Sequence, residues 1–204
     1  MADIIVAGNT SGSITISAPL VAGSGTLTLP TGTDTLIGKA TTDTLTNKSI
    51  AATQLTGTIA AARLPAGSVL QVVQGTYSTT TTNNTNVYAD TGLTATITPR
   101  STSNYILVLI SHPSCVKTSN NLNNAINLQL LRGASVLTVF NTSLGYTASA
   151  TPLYISASYN YLDSPATTSA TTYKTQFCCD FNGPQVQVQA SASKSTITLM
   201  EIQG

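Results

Sequence analysis

The chain has 204 residues, a formal net charge of +1 and only 7% charged residues. This excludes a nucleic-acid binder or a protein drawn to anionic membranes, since both need a basic surface. A hydrophobic fraction of 41% with so little charge also excludes a disordered chain, which needs the reverse balance. Roughly three residues in ten are Ser or Thr, and β-branched Thr suits a half-buried pleated surface. The composition therefore predicts an all-β protein.

The N-terminal stretch MADIIVAGNTSG lacks the basic region and the apolar length of a secretory signal. No apolar run approaches the length of a membrane span, so membrane insertion is not expected. The three cysteines are Cys115 and the adjacent Cys178 and Cys179. An odd number without a secretory signal reads as reduced thiols.

Residues 1–38 form a first unit. SITIS and TLTLP alternate polar and apolar residues across the turn VAGSG, which predicts two short strands. Two such strands are not stable alone in water and must pair with something else. Residues 39–67 form a second unit whose apolar residues, among them Leu55, Ile59 and Leu64, recur about every five positions. This spacing fits neither helix nor strand. It suits a collar in which several chains meet on an axis, with Leu55, Ile59 and Leu64 filling it. Pro65-Ala66-Gly67 would release each chain into its own head.

Residues 68–204 hold the core. Strands are predicted at SVLQVVQGTYS, LTATITP, NYILVLISH, AINLQLLRG, SVLTVF, LYISASYNYL, TYKTQFCCDF, QVQVQAS and STITLMEI. Turn signals separate them at TTTTNNTN, PRSTSN, RGAS, DSPATTSA and DFNGPQ. Many short strands without a helix predict an antiparallel β-sandwich, jelly-roll-like in arrangement.

Several of these segments resemble parts of bacteriophage tail fibres and related virion proteins. GSITISAPLVAGSGTLTLPTGTDTLIG, TTDTLTNKSI and LTGTIAAARLP are similar to segments that recur in them. DTGLTATITPRSTSNYILVLIS, LLRGASVL, YLDSPATTSATTYKTQF and STITLMEIQ are similar to their C-terminal heads. The resemblance implies a homotrimer located on the virion. It would have an N-terminal segment docking on tail, baseplate or capsid proteins, a shaft, and a β-sandwich head that contacts a host-surface glycan. Fewer than forty residues are left for the anchor, where large fibres carry a longer domain. A capsid decoration or head-fibre protein is the alternative, and a virion-borne glycan hydrolase a third.

The sequence carries little catalytic chemistry, and neither an enzyme nor a cofactor is expected. His112 and Cys115 lie three apart, but Cys178 and Cys179 point to opposite faces of a strand and make poor joint ligands, so no metal site is expected. The carboxylates are scattered, with no recognisable pair for glycoside hydrolysis. Tyr146, Tyr154, Tyr159 and Tyr161 cluster with Ser and Asn, the residue vocabulary of adaptable recognition surfaces, and are candidates for receptor binding. Within YISASYNYL the pattern also permits Tyr159 and Tyr161 to lie in the core. In the last strand, Ile197 and Leu199 share a face with Glu201, while Met200 and Ile202 share the other. A strand apolar on both faces predicts one face in the sandwich and one against a neighbouring subunit. Met200, Glu201 and Ile202 are thus candidate trimer-interface residues, with Lys194, Lys174 or Arg132 as the expected partner of Glu201.

Overall fold

The computed structural model describes residues 4–7, 11–16, 49–51, 53, 56–57, 59–118 and 124–204. The chain divides into two compact units, Met1–Thr56 and Gly57–Gly204. In the first, β1 (Ile4–Ala7) pairs antiparallel with β2 (Ser13–Ile16), Ile4 opposite Ile16 and Ala7 opposite Ser13. The predicted strand SITIS is thus present, and its partner comes from the stretch before it. TLTLP and Leu55 lie outside the described residues.

The second unit begins with a 3₁₀ turn, Ala61–Arg63, and continues through ten strands. These are β3 (Val69–Tyr77), β4 (Thr81–Asn83), β5 (Ala89–Ile97), β6 (Tyr105–Lys117), β7 (Asn124–Arg132), β8 (Ser135–Thr147), β9 (Leu153–Asp163), β10 (Thr171–Cys179), β11 (Val186–Val188) and β12 (Ser195–Ile202). One sheet has the order β5-β10-β7-β8. In the other, β3 and β4 run end to end along β12 and β11, which run end to end along β6, and β9 closes the far side. Counting β3/β4 and β11/β12 as single lanes, the orders are first-eighth-third-sixth and second-seventh-fourth-fifth. That is the strand order of a jelly roll, two Greek keys folded face to face.

Period-two patterning explains why these segments form strands. β12 alternates buried and half-buried at every position, and β5 alternates from Thr91 onward. Their inward apolar residues Leu93, Ala95, Ile97, Ile197 and Leu199, with Ile106, Val108 and Ile110 of β6, Leu130 of β7 and Tyr173 of β10, form one core cluster. A second cluster gathers Cys115, Ile126, Leu128, Ala157, Phe177, Cys179, Val186 and Val188. The stretch TTTTNNTN, expected to be turn throughout, contains β4. Its three residues gain a ladder with β11 that local propensity does not reveal.

A polar seam runs through the middle of the sandwich. The seam coincides with the breaks between β3 and β4 and between β11 and β12, and with the β6 register shift after His112. At the second break Gln189, Ser191 and Ala192 adopt positive φ near 55°. His112, fully buried, lies 3.0 Å from Ser195 Oγ and 3.1 Å from Thr175 Oγ1, and Gln189 Nε2 approaches its Nδ1 at 3.3 Å. Thr175 and Thr91 hydroxyls meet at 2.6 Å. The His112 ring nitrogens, the Thr91, Thr175 and Ser195 hydroxyls and Gln189 Nε2 all find partners in this chain of bonds, whereas Gln189 Oε1 is buried without one.

Candidate functional site

The antiparallel registers give the head two poles. The chain enters at one, where Gly67 N–H donates to Gln203 O at 2.8 Å and Gln203 N–H donates to Ser68 O at 2.9 Å. The turns after β5, β7 and β9 lie at this entry pole. The connections 84–88, 148–152 and 180–185 all lie at the opposite, distal pole.

Large apolar and aromatic side chains stand exposed at the distal pole. Val87 is 67% exposed, Tyr154 65%, and Tyr146 and Phe181 each 56%. The backbone beneath them is firmly tied. Asn86 N–H donates to Asn182 Oδ1 at 2.9 Å, and Gly183 N–H to Asn84 O at 2.8 Å, joining the loops that carry Val87 and Phe181. Buried Asn83 donates from Nδ2 to the carbonyls of Val87 and Phe177, both at 3.0 Å. Under the other pair, the fully buried Lys117 donates from Nζ to Thr147 O at 2.6 Å and Ser149 O at 2.8 Å, pinning the β8–β9 turn. A tied loop loses little conformational entropy on binding, so exposed rings on it are preorganised for contact. Asp180 is the one charged residue in these three described connections. Its carboxylate accepts from Asn127 Nδ2 at 2.8 Å and Ser143 Oγ at 3.3 Å.

The four candidate tyrosines are separated by strand parity. Tyr146 and Tyr154 belong to the distal tip. Tyr159 and Tyr161 point inward and pack against the first core cluster, with Tyr159 stacked on Phe140 at a centroid distance of 5.2 Å. Both are half-buried, as the core-packing alternative for YISASYNYL expects. Val87 and Phe181 are exposed at the same pole but lie outside the tyrosine-rich stretch that the sequence singles out. Phe181 falls in both the predicted strand TYKTQFCCDF and the turn signal DFNGPQ, and the strand ends before it, at Cys179.

Met200, Glu201 and Ile202 are also divided. Met200 and Ile202 lie half-buried on the outer face of their sheet, whereas Glu201 is fully buried inside the head. Its carboxylate accepts from Asn104 Nδ2 and Arg100 N–H, both at 2.6 Å, and from Gln71 Nε2 at 2.5 Å. Glu201 is thus no interface residue. Neutral donors from β3 and from the turn after β5 take the place of the expected Lys194, Lys174 or Arg132. Burial raises its pKa, but those hydrogen bonds and the Arg100 charge outweigh it and hold the carboxyl below its ordinary value. Of the axis candidates, Ile59 is exposed and Leu64 half-buried.

Among the described residues, the remaining carboxylates are likewise held by structural bonds. Asp163 pairs with Arg132 Nη1 at 2.8 Å and accepts from Tyr173 Oη at 2.6 Å. Asp90 pairs with Lys174 at 2.8 Å and accepts from Gln176 Nε2 at 2.7 Å. Burial lowers the His112 pKa to about 4 and raises that of Cys115 to about 12. His112 is a neutral member of the seam and Cys115 a protonated core thiol, neither poised for catalysis. Among the described residues no three His, Cys, Asp or Glu side chains gather where a metal ion could be held.

No family model matches this chain, and no curated protein matches it. Among solved structures it is similar to the infectious bursal disease virus VP2 subviral particle, with a TM-score of 0.44 and 11% identity over 66% of this chain and 33% of that one. It is also similar to the structure of the infectious bursal disease virus Gx strain, with a TM-score of 0.43 and 12% identity over 66% of this chain and 32% of that one. This chain thus spans about a third of the length of either.

Proposed function

We propose that this protein is a non-enzymatic structural component of a bacteriophage virion, a homotrimer of fibre type whose heads attach to a host-surface glycan. The observation that carries the reading is the opposition of the two poles. The chain enters the head at one end, and a tied tip with exposed Tyr146, Tyr154 and Phe181 and a single charge, Asp180, stands at the other. Aromatic faces with neighbouring amides from Asn84, Asn86 and Asn182 suit a neutral saccharide, whose ring C–H groups stack on aromatics while its hydroxyls bond amides. The N-terminal unit, with its small β1–β2 hairpin, docks on another virion protein. The non-enzymatic part of the reading is supported by the bonds that occupy Asp90, Asp163, Asp180 and Glu201.

An array of purified neutral bacterial surface polysaccharides tests the attachment role. The full-length protein should bind at least one of them. The double substitution Tyr154→Ser/Phe181→Ser should weaken that binding about tenfold or more, since a buried aromatic anchor contributes about 2 kcal/mol. Undiminished binding by the double variant would remove the distal pole from the proposal. Antibody labelling of intact particles distinguishes a tail fibre from a capsid decoration.

A further inference from the structure

The outer face of the β3/β4-β11/β12-β6-β9 sheet carries an apolar band at its entry-pole end. The registers align Val72 of β3, Met200 of β12, Leu107 of β6 and Leu162 of β9 in one row across the sheet. Beside it, Ile202 lies opposite both Val69 and Tyr105. Val72 is 55% exposed and Leu162 57%. Moving towards the distal pole, the next row is Gln74, Thr198, Leu109 and Asn160, and the one after is Thr76, Thr196, Ser111 and Ser158. The face therefore grades from apolar to polar along the strands. None of these residues is charged.

We infer that this band is the surface by which neighbouring copies of the head pack together. The inference rests on the reading of the protein as an assembly of identical chains. It deepens that reading by naming the face that closes the assembly. Three observations favour a second copy as the occupant. A contiguous apolar strip on an otherwise polar sheet marks an interaction surface. A face without charge meets an identical face without like-charge repulsion, and depletion of charge with enrichment of Met and Tyr characterises interface centres. The band also lies where the chain enters, since Gly67 and Ser68 are bonded to Gln203, next to Ile202. Copies joined through residues 57–67 converge on this end of the head. Met200 then serves as the adaptable filler at the centre of the contact.

The experiment uses the full chain and reads both mass and the reactivity of Met200. Mass is measured by light scattering and sulfoxide formation under dilute peroxide by mass spectrometry. The wild-type protein should be an oligomer. Val72→Glu and, separately, Leu162→Glu should dissociate it, or leave it held by its N-terminal part with Met200 oxidised about tenfold faster. Both sites are exposed within one copy, so the variants should melt like the wild type. Val136→Glu, an exposed site on the other sheet, should change neither readout. A monomeric wild-type chain would overturn the assembly reading and this inference with it, including the case where Met200 is protected by the chain's own N-terminal part. An oligomer whose Met200 oxidises at the rate seen in Val72→Glu would overturn the band alone.

Discussion

Protonation of His112 would place a charge in the seam between the two halves of the core. In the folded head its pKa lies near 4, against an ordinary value of 6.5. Above pH 6.5 the imidazole is neutral in both states and the seam is at full strength. As pH falls from 6.5 towards 4, the unfolded chain takes up a proton that the folded chain refuses, so stability declines, by about 3 kcal/mol over that window. Glu201 acts in the same direction but lower. Its folded pKa lies below the ordinary carboxyl value, so its contribution is full above that value and is lost only as pH falls through the folded one. Urea titrations from pH 8 to 3 should therefore show two successive losses. His112→Gln, which keeps a donor and an acceptor but does not titrate, should flatten the first and leave the second. An unchanged slope between pH 6.5 and 4 in that variant would mean that another group carries it. The site of this histidine was not legible from SHPSC. Its partners Thr175, Gln189 and Ser195 lie far away in sequence, and only the lane breaks bring them together.

The strands themselves were largely legible, because a half-buried strand prints its geometry as alternation. Ile197, Leu199 and Glu201 do share one face of β12, and Met200 and Ile202 the other. What alternation cannot show is which donors await an inward carboxylate, so the sequence suggests a charged partner for Glu201 where the fold supplies amides and a backbone N–H. Nor does it show where two strands cross. At Gly75, β3 passes so close over β5 that a Cβ would collide with the Thr94 carbonyl oxygen. The obstacle is backbone, so it has no rotamer by which to yield. Gly75→Ala should cost about 1–3 kcal/mol, the usual penalty for overpacking, read as a lowered urea midpoint with unchanged slope. Equal stability would mean that β3 slides along β12 to make room. Gly75 sits in the middle of VVQGTYS, and an isolated glycine in a strand pattern is the clue to such a close approach.

The core contacts and buried bonds described above all lie within the head. Both core clusters, the His112 seam and the bonds of Asp163 and Glu201 lie within Gly57–Gly204. A domain of about 150 residues buries about 68–70% of the surface its unfolded chain exposes, enough for independent stability. Residues 57–204 produced alone should therefore unfold in one cooperative transition with a β-type circular dichroism signal. A broad, non-cooperative transition would show that the N-terminal unit is needed for folding and not only for attachment. The same truncation separates the two devices proposed to hold copies together. It removes Leu55 but keeps Ile59, Leu64 and the outer apolar band. If the band closes the assembly, the truncated head should still associate, now reversibly and at higher concentration, because the collar no longer raises the effective concentration of one copy about another. A truncated head that stays monomeric at millimolar concentration would leave the collar as the sole device. In that case the exposed row of Val72, Met200, Leu107 and Leu162 must be covered by something other than a second head.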